Sequence, residues 1–235
     1  MQKMDLADKN PLRIFARNSA GDPVDKRMGL LMSRPGLGKT AILVQIALDN
    51  IMRGNQVLHV SIGQSLDKTR AWYDDIFKDI VTDYQLEDAE EVQAEIKRQR
   101  MIMTFNASTF SGPKLEERLN DLVYQNIFCP SCLIIDGFDF SAADRQALHD
   151  LRELNAAMNL DIWMSAVTHR EDSRLSTEGV PAPCHEVADL FDTVILVQPE
   201  SAENASLNIV KDITGGARKG QTLTLNTADL MIKEG

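Results

Sequence analysis

The chain is short of the features that would mark it as secreted, membrane-bound or nucleic-acid-binding. It has three cysteines, Cys129, Cys132 and Cys184, in 235 residues, too few for a disulfide scaffold and an odd number that cannot all pair internally. Reduced thiols are therefore expected. Nowhere does the sequence approach the ~18 consecutive apolar residues of a membrane span, so no membrane partner is expected. Its start mixes Lys3, Asp5, Asp8 and Lys9 with no apolar run behind them, unlike a secretory signal, and the expected location is cytoplasmic. Positive charge is in deficit: 25 Lys and Arg stand against 35 Asp and Glu, a formal charge of −10. That balance repels a polyanion unless basic groups gather on one face or come from assembly. Internal repeats and low-complexity segments are also missing.

What is present is a regular alternation. Residues 1–27 form a polar arm punctuated by Pro11, Gly21 and Pro23, with an apolar patch at Leu12, Ile14 and Phe15. A single α/β domain is expected over 28–235. The apolar run 28–33 reads as a buried strand, 39–53 as a helix apolar nearly all round and stopped by Gly54, and 57–61 as a second strand. Helices are expected at 66–81 and 86–100, each with an acidic outer face, then a strand at 101–105 and a helix at 114–126. A strand at 132–136 ends in a carboxylate. A helix at 143–158, a strand at 161–167, a polar loop at 170–187 and strands near 192–197, 206–211 and 221–225 follow. This order predicts a mostly parallel, twisted sheet with helices on both faces and an antiparallel meander at the C-terminal edge.

Ser33-Arg34-Pro35-Gly36-Leu37-Gly38-Lys39-Thr40 matches the phosphate-loop pattern GxxxxGK[ST] everywhere except its first position, where Ser33 replaces Gly. Gly36 and Gly38 permit the backbone dihedrals that turn successive N–H groups inward into an anion nest. The helix that follows, through Ala41, brings its positive dipole end to the same place. Lys39 is expected to reach the terminal phosphates of a nucleotide, and the Thr40 hydroxyl to ligate magnesium. Asp136, at the tip of Leu133-Ile134-Ile135-Asp136, is expected to hold the same ion. ATP with magnesium is the implied ligand.

These motifs, in this order, resemble the RecA superfamily, in particular the branch with the ATPase domain of DnaB-type helicases, the RadA-type recombination factors and the KaiC-type ATPases. The resemblance runs over about residues 28–232. Besides the phosphate loop it rests on Val57–Ser61 leading into a helix, Ile134-Ile135-Asp136, Ala166-Val167-Thr168-His169-Arg170, and Asp189–Leu196 before a closing meander. It implies a RecA-like fold and homo-oligomers, usually hexameric rings with nucleotide between neighbours. The chain departs from the family twice. The family places a water-activating Glu after the second strand, where this chain has Ser61-Ile62-Gly63-Gln64-Ser65, and the amide of Gln64 orients water but accepts no proton. Asp139 and Asp67 are the substitute carboxylates. In the segment aligned with a family Lys-x-Arg that reaches the neighbour's nucleotide, Lys211 is kept but Ile213 stands in the Arg position, with Arg218 and Lys219 nearby. Weak or partner-dependent hydrolysis follows, with nucleotide state governing assembly or partner binding. The alternatives are a DNA-dependent motor of the DnaB group and a small-molecule kinase. The DNA-gripping region of the relatives corresponds here to Arg170–Asp192, which carries Arg170 and Arg174 against six carboxylates, a balance that opposes strand translocation.

Weaker patterns remain open. Cys129-Pro-Ser-Cys132 with Cys184-His185 reads as structural thiols, a metal site or a redox pair, the first being favoured. His169 is either a sensor of the terminal phosphate or a surface histidine. His59 and His149 are expected to pack. Trp72 is either core or a platform for a base.

Overall fold

The computed structural model describes residues 10–15, 20, 27–141, 145–169, 171–217 and 221–234. Nearly all the expected elements form. Strand β1 (Met28–Ser33) is buried along its whole length, and α1 (Lys39–Met52) buries every residue from Ala41 to Met52. A helix apolar on all sides can only lie inside, and each fully buried Leu or Ile contributes ~1.5–3 kcal/mol. After β2 (Val57–Ile62) comes α2 (Leu66–Tyr84), opened by the Ser65 hydroxyl accepting the Lys68 N–H. Its buried residues Tyr73, Ile76, Phe77 and Ile80 recur at helical spacing. In α3 (Ala89–Gln99) only Val92 and Ile96 are buried. Glu90 and Glu91 sit at its positive end and Lys97 and Arg98 at its negative end, so its charge is a solvated face complementing the helix dipole.

Next come β3 (Arg100–Phe105), α4 (Gly112–Tyr124, with Pro113 in its first turn) and β4 (Cys132–Asp136). Helix α5 (Arg145–Met158) and β5 (Asp161–Val167) lead to a 3-10 turn at His185–Leu190. The chain closes with β6 (Thr193–Pro199), β7 (Asn204–Asp212), β8 (Thr222–Asn226) and β9 (Ile232–Glu234). The first two residues expected in α5, 143 and 144, lie outside the described residues.

The nine strands make one sheet in the order β3-β2-β4-β5-β1-β6-β7-β8-β9. The six from β3 to β6 pair in parallel, and the last three add as an antiparallel meander. One core cluster lies under α1, α2 and α3 and the other under α4 and α5, so helices cover both faces. Differences from expectation are local. Helix α2 runs on to Tyr84, α4 starts at Gly112, and β9, three residues long, is too short to carry a pattern. The apolar patch of the N-terminal arm forms a 3-10 turn, Pro11–Phe15, whose Leu12 and Phe15 join the core of the sheet rather than standing apart. Phe15 meets Trp163 edge-on at 5.7 Å. No helix among the described residues is long and apolar enough to cross a membrane.

Parallel pairing collects the C-terminal tips of the strands along one rim. Because β5 lies between β4 and β1, and β2 lies beside β4, Ser33, Val167, Asp136 and Ser61 come to that rim in register.

Candidate functional site

The rim opens into a cleft of about 610 Å³ lined by Gly36, Gly38, Lys39, Thr40 and Asp136. Residues scattered over a hundred positions of sequence thus share one cavity. Gly36 and Gly38 have φ of 83° and 73°, a region that costs a non-glycine residue roughly 1–2 kcal/mol. Gly38 is the N-cap of α1 and brings no side-chain cap. The first-turn amides of Lys39, Thr40 and Ala41 therefore have no partner within the helix itself, the arrangement that seats an anion.

Ser33, the departure from the motif, is fully buried at the end of β1. Its hydroxyl donates to the Arg34 carbonyl at 2.8 Å and accepts from the Lys39 ammonium at 3.3 Å. Lys39 donates a second bond, to the Arg34 carbonyl, also at 3.3 Å. Both are long, so the ammonium is held over the loop by weak contacts. Burial lowers its pKa, and the nearby Asp136 charge partly restores it.

Asp136 is buried and closes a short polar chain. The Thr40 hydroxyl donates to its Oδ2 at 2.7 Å, and the Ser165 hydroxyl to its Oδ1 at 2.6 Å. Gly137 follows at φ 90°, where an added Cβ would stand 2.4 Å from the Ile62 carbonyl oxygen. Only glycine lets the tips of β4 and β2 approach this closely. A hydroxyl and a carboxylate brought together at the start of α1 are hard oxygen donors, the set that suits magnesium. The fit to that ion rests on Thr40 and Asp136.

The other candidates distribute unevenly. Gln64, Asp139 and His169 all line the same cleft. Among the described residues Oε1 of Gln64 is buried without a hydrogen-bond partner, an acceptor beside the Gly36–Thr40 loop. Asp139 is exposed, and its Oδ1 accepts the Ser141 N–H at 2.9 Å. His169 is exposed just beyond β5, where the Thr168 N–H bonds the Ser33 carbonyl at 2.9 Å and ties that strand end to the phosphate loop. Asp67 lies in the first turn of α2 and is not among the lining residues. Lys211 lies outside the cleft, buried, with its ammonium 2.9 Å from Glu178 Oε2 and 3.0 Å from the Ala188 carbonyl. Reaching a neighbouring subunit would require it to leave both. Arg218, Lys219 and Arg170 lie outside the described residues.

Sequence reasoning missed Ser165, Leu230 and Pro183, which also line the cleft. Ser165 was signalled only by strand parity: it sits on the same face of β5 as Trp163, next to β4. Leu230 has φ 57° and is held by Gln45, whose amide donates to the Leu230 carbonyl at 2.7 Å and whose Oε1 accepts the Ile232 N–H at 3.0 Å. It packs against Gly38 and faces the cleft together with Trp72, which is half-buried and also touches the core.

The remaining expectations sort by burial. His59 is buried with Nδ1 3.1 Å from the Tyr73 hydroxyl, and burial depresses its pKa to about 4, with the Asp136 charge opposing the shift. It packs, as expected. His149 does not: it is half-exposed on α5, 3.6 Å from Glu153, because its position falls on the solvent side of the Leu148, Leu151, Leu154 stripe. Cys132 and Cys184 are buried and Cys129 is exposed, all as free thiols. Burial pushes the Cys132 and Cys184 thiols up. Among the described residues these cysteines and His185 do not gather into a group of three metal ligands. No protein-family model matches this chain, and a search of curated proteins finds no relative.

Proposed function

We propose that the cleft binds a nucleoside triphosphate with magnesium, in a RecA-like domain whose nucleotide state governs assembly or partner binding. The observation that carries the reading is the meeting of Lys39, Thr40 and Asp136 at one phosphate loop, with the Thr40 hydroxyl 2.7 Å from the Asp136 carboxylate. In this reading the Gly36–Ala41 amides and the Lys39 ammonium hold the phosphates. Thr40 and Asp136 hold magnesium, which screens the phosphate charge when bound. Trp72 and Leu230 give the mouth of the cleft two apolar walls, suited to the flat face of a base.

Hydrolysis in such a site is slow. Gln64 offers an acceptor to a water molecule but cannot take its proton at neutral pH. Asp139, exposed and already accepting a backbone amide, is the carboxylate within the cleft and outside the metal pair. Neither reading as a DNA motor nor reading as a small-molecule kinase has a specific observation in its favour: the described part of the 171–192 segment keeps its acidic excess, with Arg174 bound to Asp172. Turnover of Mg-ATP, measured alone and with single-stranded or duplex DNA, tests this account. The expected result is little turnover and no stimulation, with a rise in the Gln64→Glu variant. Fast DNA-stimulated hydrolysis overturns it in favour of a motor.

A further inference from the structure

Lys211 is a buried cation outside the cleft, and the chain spends an irregularity to place it. The β6–β7 register shifts between Val194 and Ile195, a bulge that breaks strict alternation and re-aims the side chains beside it. Val210 and Lys211 consequently both serve the segment running from 171 to 190: Val210 packs under Gly179, and Lys211 is gripped by Glu178 and Ala188. That segment has little regular structure of its own. A tight turn bridged between Leu175 and Pro181 presents Glu178, and the 3-10 turn His185–Leu190 presents the Ala188 carbonyl. Between these two attachment points lies Pro183, the residue of this segment that walls the phosphate cleft.

We infer that Lys211 is a latch: one ammonium fastens the segment on both sides of Pro183 and so holds that wall of the cleft in place, which makes Lys211 a positioning residue for ligand retention. The inference rests on the nucleotide reading of the cleft. The physical ground is the asymmetry of the contact. The lysine side chain is 9% exposed and Glu178 43% exposed. A buried ammonium that loses its acceptors carries a desolvation penalty, whereas the carboxylate can turn to water. Opening the segment breaks both charge-assisted contacts to the one ammonium together, and that joint loss keeps the wall shut. Anything that draws the ammonium away, a phosphate or carboxylate of a neighbouring copy included, releases the wall at the same time.

The test uses the full chain with Lys211→Met, which keeps the buried stem, Lys211→Arg as the conservative control, and Glu178→Gln at the more exposed partner. Amide hydrogen exchange is followed across 171–190, and dissociation of a fluorescent ATP analogue with magnesium is timed by stopped flow. In Lys211→Met, exchange should rise within 171–190 but not in β1 or α1, and the nucleotide should leave about three- to tenfold faster. Lys211→Arg should keep both close to the wild-type values. Should Lys211→Met fail to fold, Glu178→Gln carries the test, with smaller changes of the same sign. Unchanged exchange in 171–190 overturns the latch. A loosened segment with unchanged dissociation overturns its role at the cleft. A wild-type chain that takes up no nucleotide at all refutes the reading of the site on which the inference rests, a different failure from either of these.

Discussion

Replacing Gly137 with Ala isolates the close approach that sets Asp136 at the end of the cleft. Two glycines make the comparison clean, because Gly54 and Gly137 have nearly the same dihedral, φ 88° and 90°. At either position an alanine pays the strain of a left-handed conformation, roughly 1–2 kcal/mol. Among the described residues Gly54, just past the end of α1, has nothing within 4 Å of an added Cβ, while at Gly137 the same atom would meet the Ile62 carbonyl oxygen at 2.4 Å. The obstacle is backbone within the parallel sheet and cannot swing aside. The tips of β2 and β4 must part, an overpacking cost of about 1–3 kcal/mol on top of the strain. Gly137→Ala should therefore destabilise by about 2–5 kcal/mol and Gly54→Ala by about 1–2 kcal/mol. Urea unfolding of both variants, with the slopes checked for equality, measures the difference. Asp136 is the residue next to Gly137, so nucleotide affinity in magnesium should fall in Gly137→Ala alone. Equal destabilisation of the two variants refutes the argument.

Other outcomes follow from the same geometry. Asp136→Asn leaves a group able to meet Thr40 and Ser165 but removes the charge, so magnesium should no longer strengthen nucleotide binding; titrations with magnesium and with a chelator should converge, a loss of about tenfold or more in the magnesium arm. His59 is held neutral by burial, with its pKa near 4 in the folded chain and near its ordinary value in the unfolded one. The unfolded state thus takes up a proton first as pH falls. The stability associated with a neutral His59 is full above about pH 6.5 and is lost on the way to pH 4, on the order of 3 kcal/mol in all. Urea midpoints from pH 7.5 to 5 should slope downward in the wild type and less steeply in His59→Phe; parallel slopes contradict the assignment. With a colorimetric thiol reagent, Cys129 should react at once, and Cys132 and Cys184 only on unfolding. Three rapid equivalents would contradict the burial of β4.

The parts of this molecule legible in its sequence are those written in contiguous residues. The phosphate loop is eight neighbours long, and its chemistry, glycines then Lys39 and Thr40, is read without knowing the strand order. The parallel strands announce themselves as apolar runs because both faces are covered, and α1 as an unbroken apolar helix for the same reason. Asp136 was legible as a carboxylate ending such a run. What escaped depends on topology. Ser165 reaches Asp136 only because β5 lies beside β4, and Leu230 meets Gly38 only because the last hairpin folds back over α1, held by Gln45. Pro183 arrives through a segment fixed by a lysine on a distant strand. Lys211 stands in a segment that resembles one reaching a neighbour, and nothing local says that Glu178 and Ala188 hold it within this chain. His149 shows the limit of composition: a histidine in a helix has no preferred side until the leucine stripe around it is phased.

The central claim is tested most directly by isothermal titration calorimetry of Mg-ATP and Mg-GTP into the wild-type chain and into Lys39→Ala. Among the described residues the ammonium of Lys39 makes only two contacts, both long, so its removal should barely change the unfolding midpoint. The account predicts uptake of a triphosphate by the wild type and an affinity weaker by about tenfold to a hundredfold in the variant. No uptake of either nucleotide by the wild type, or equal affinity in the two proteins, contradicts it.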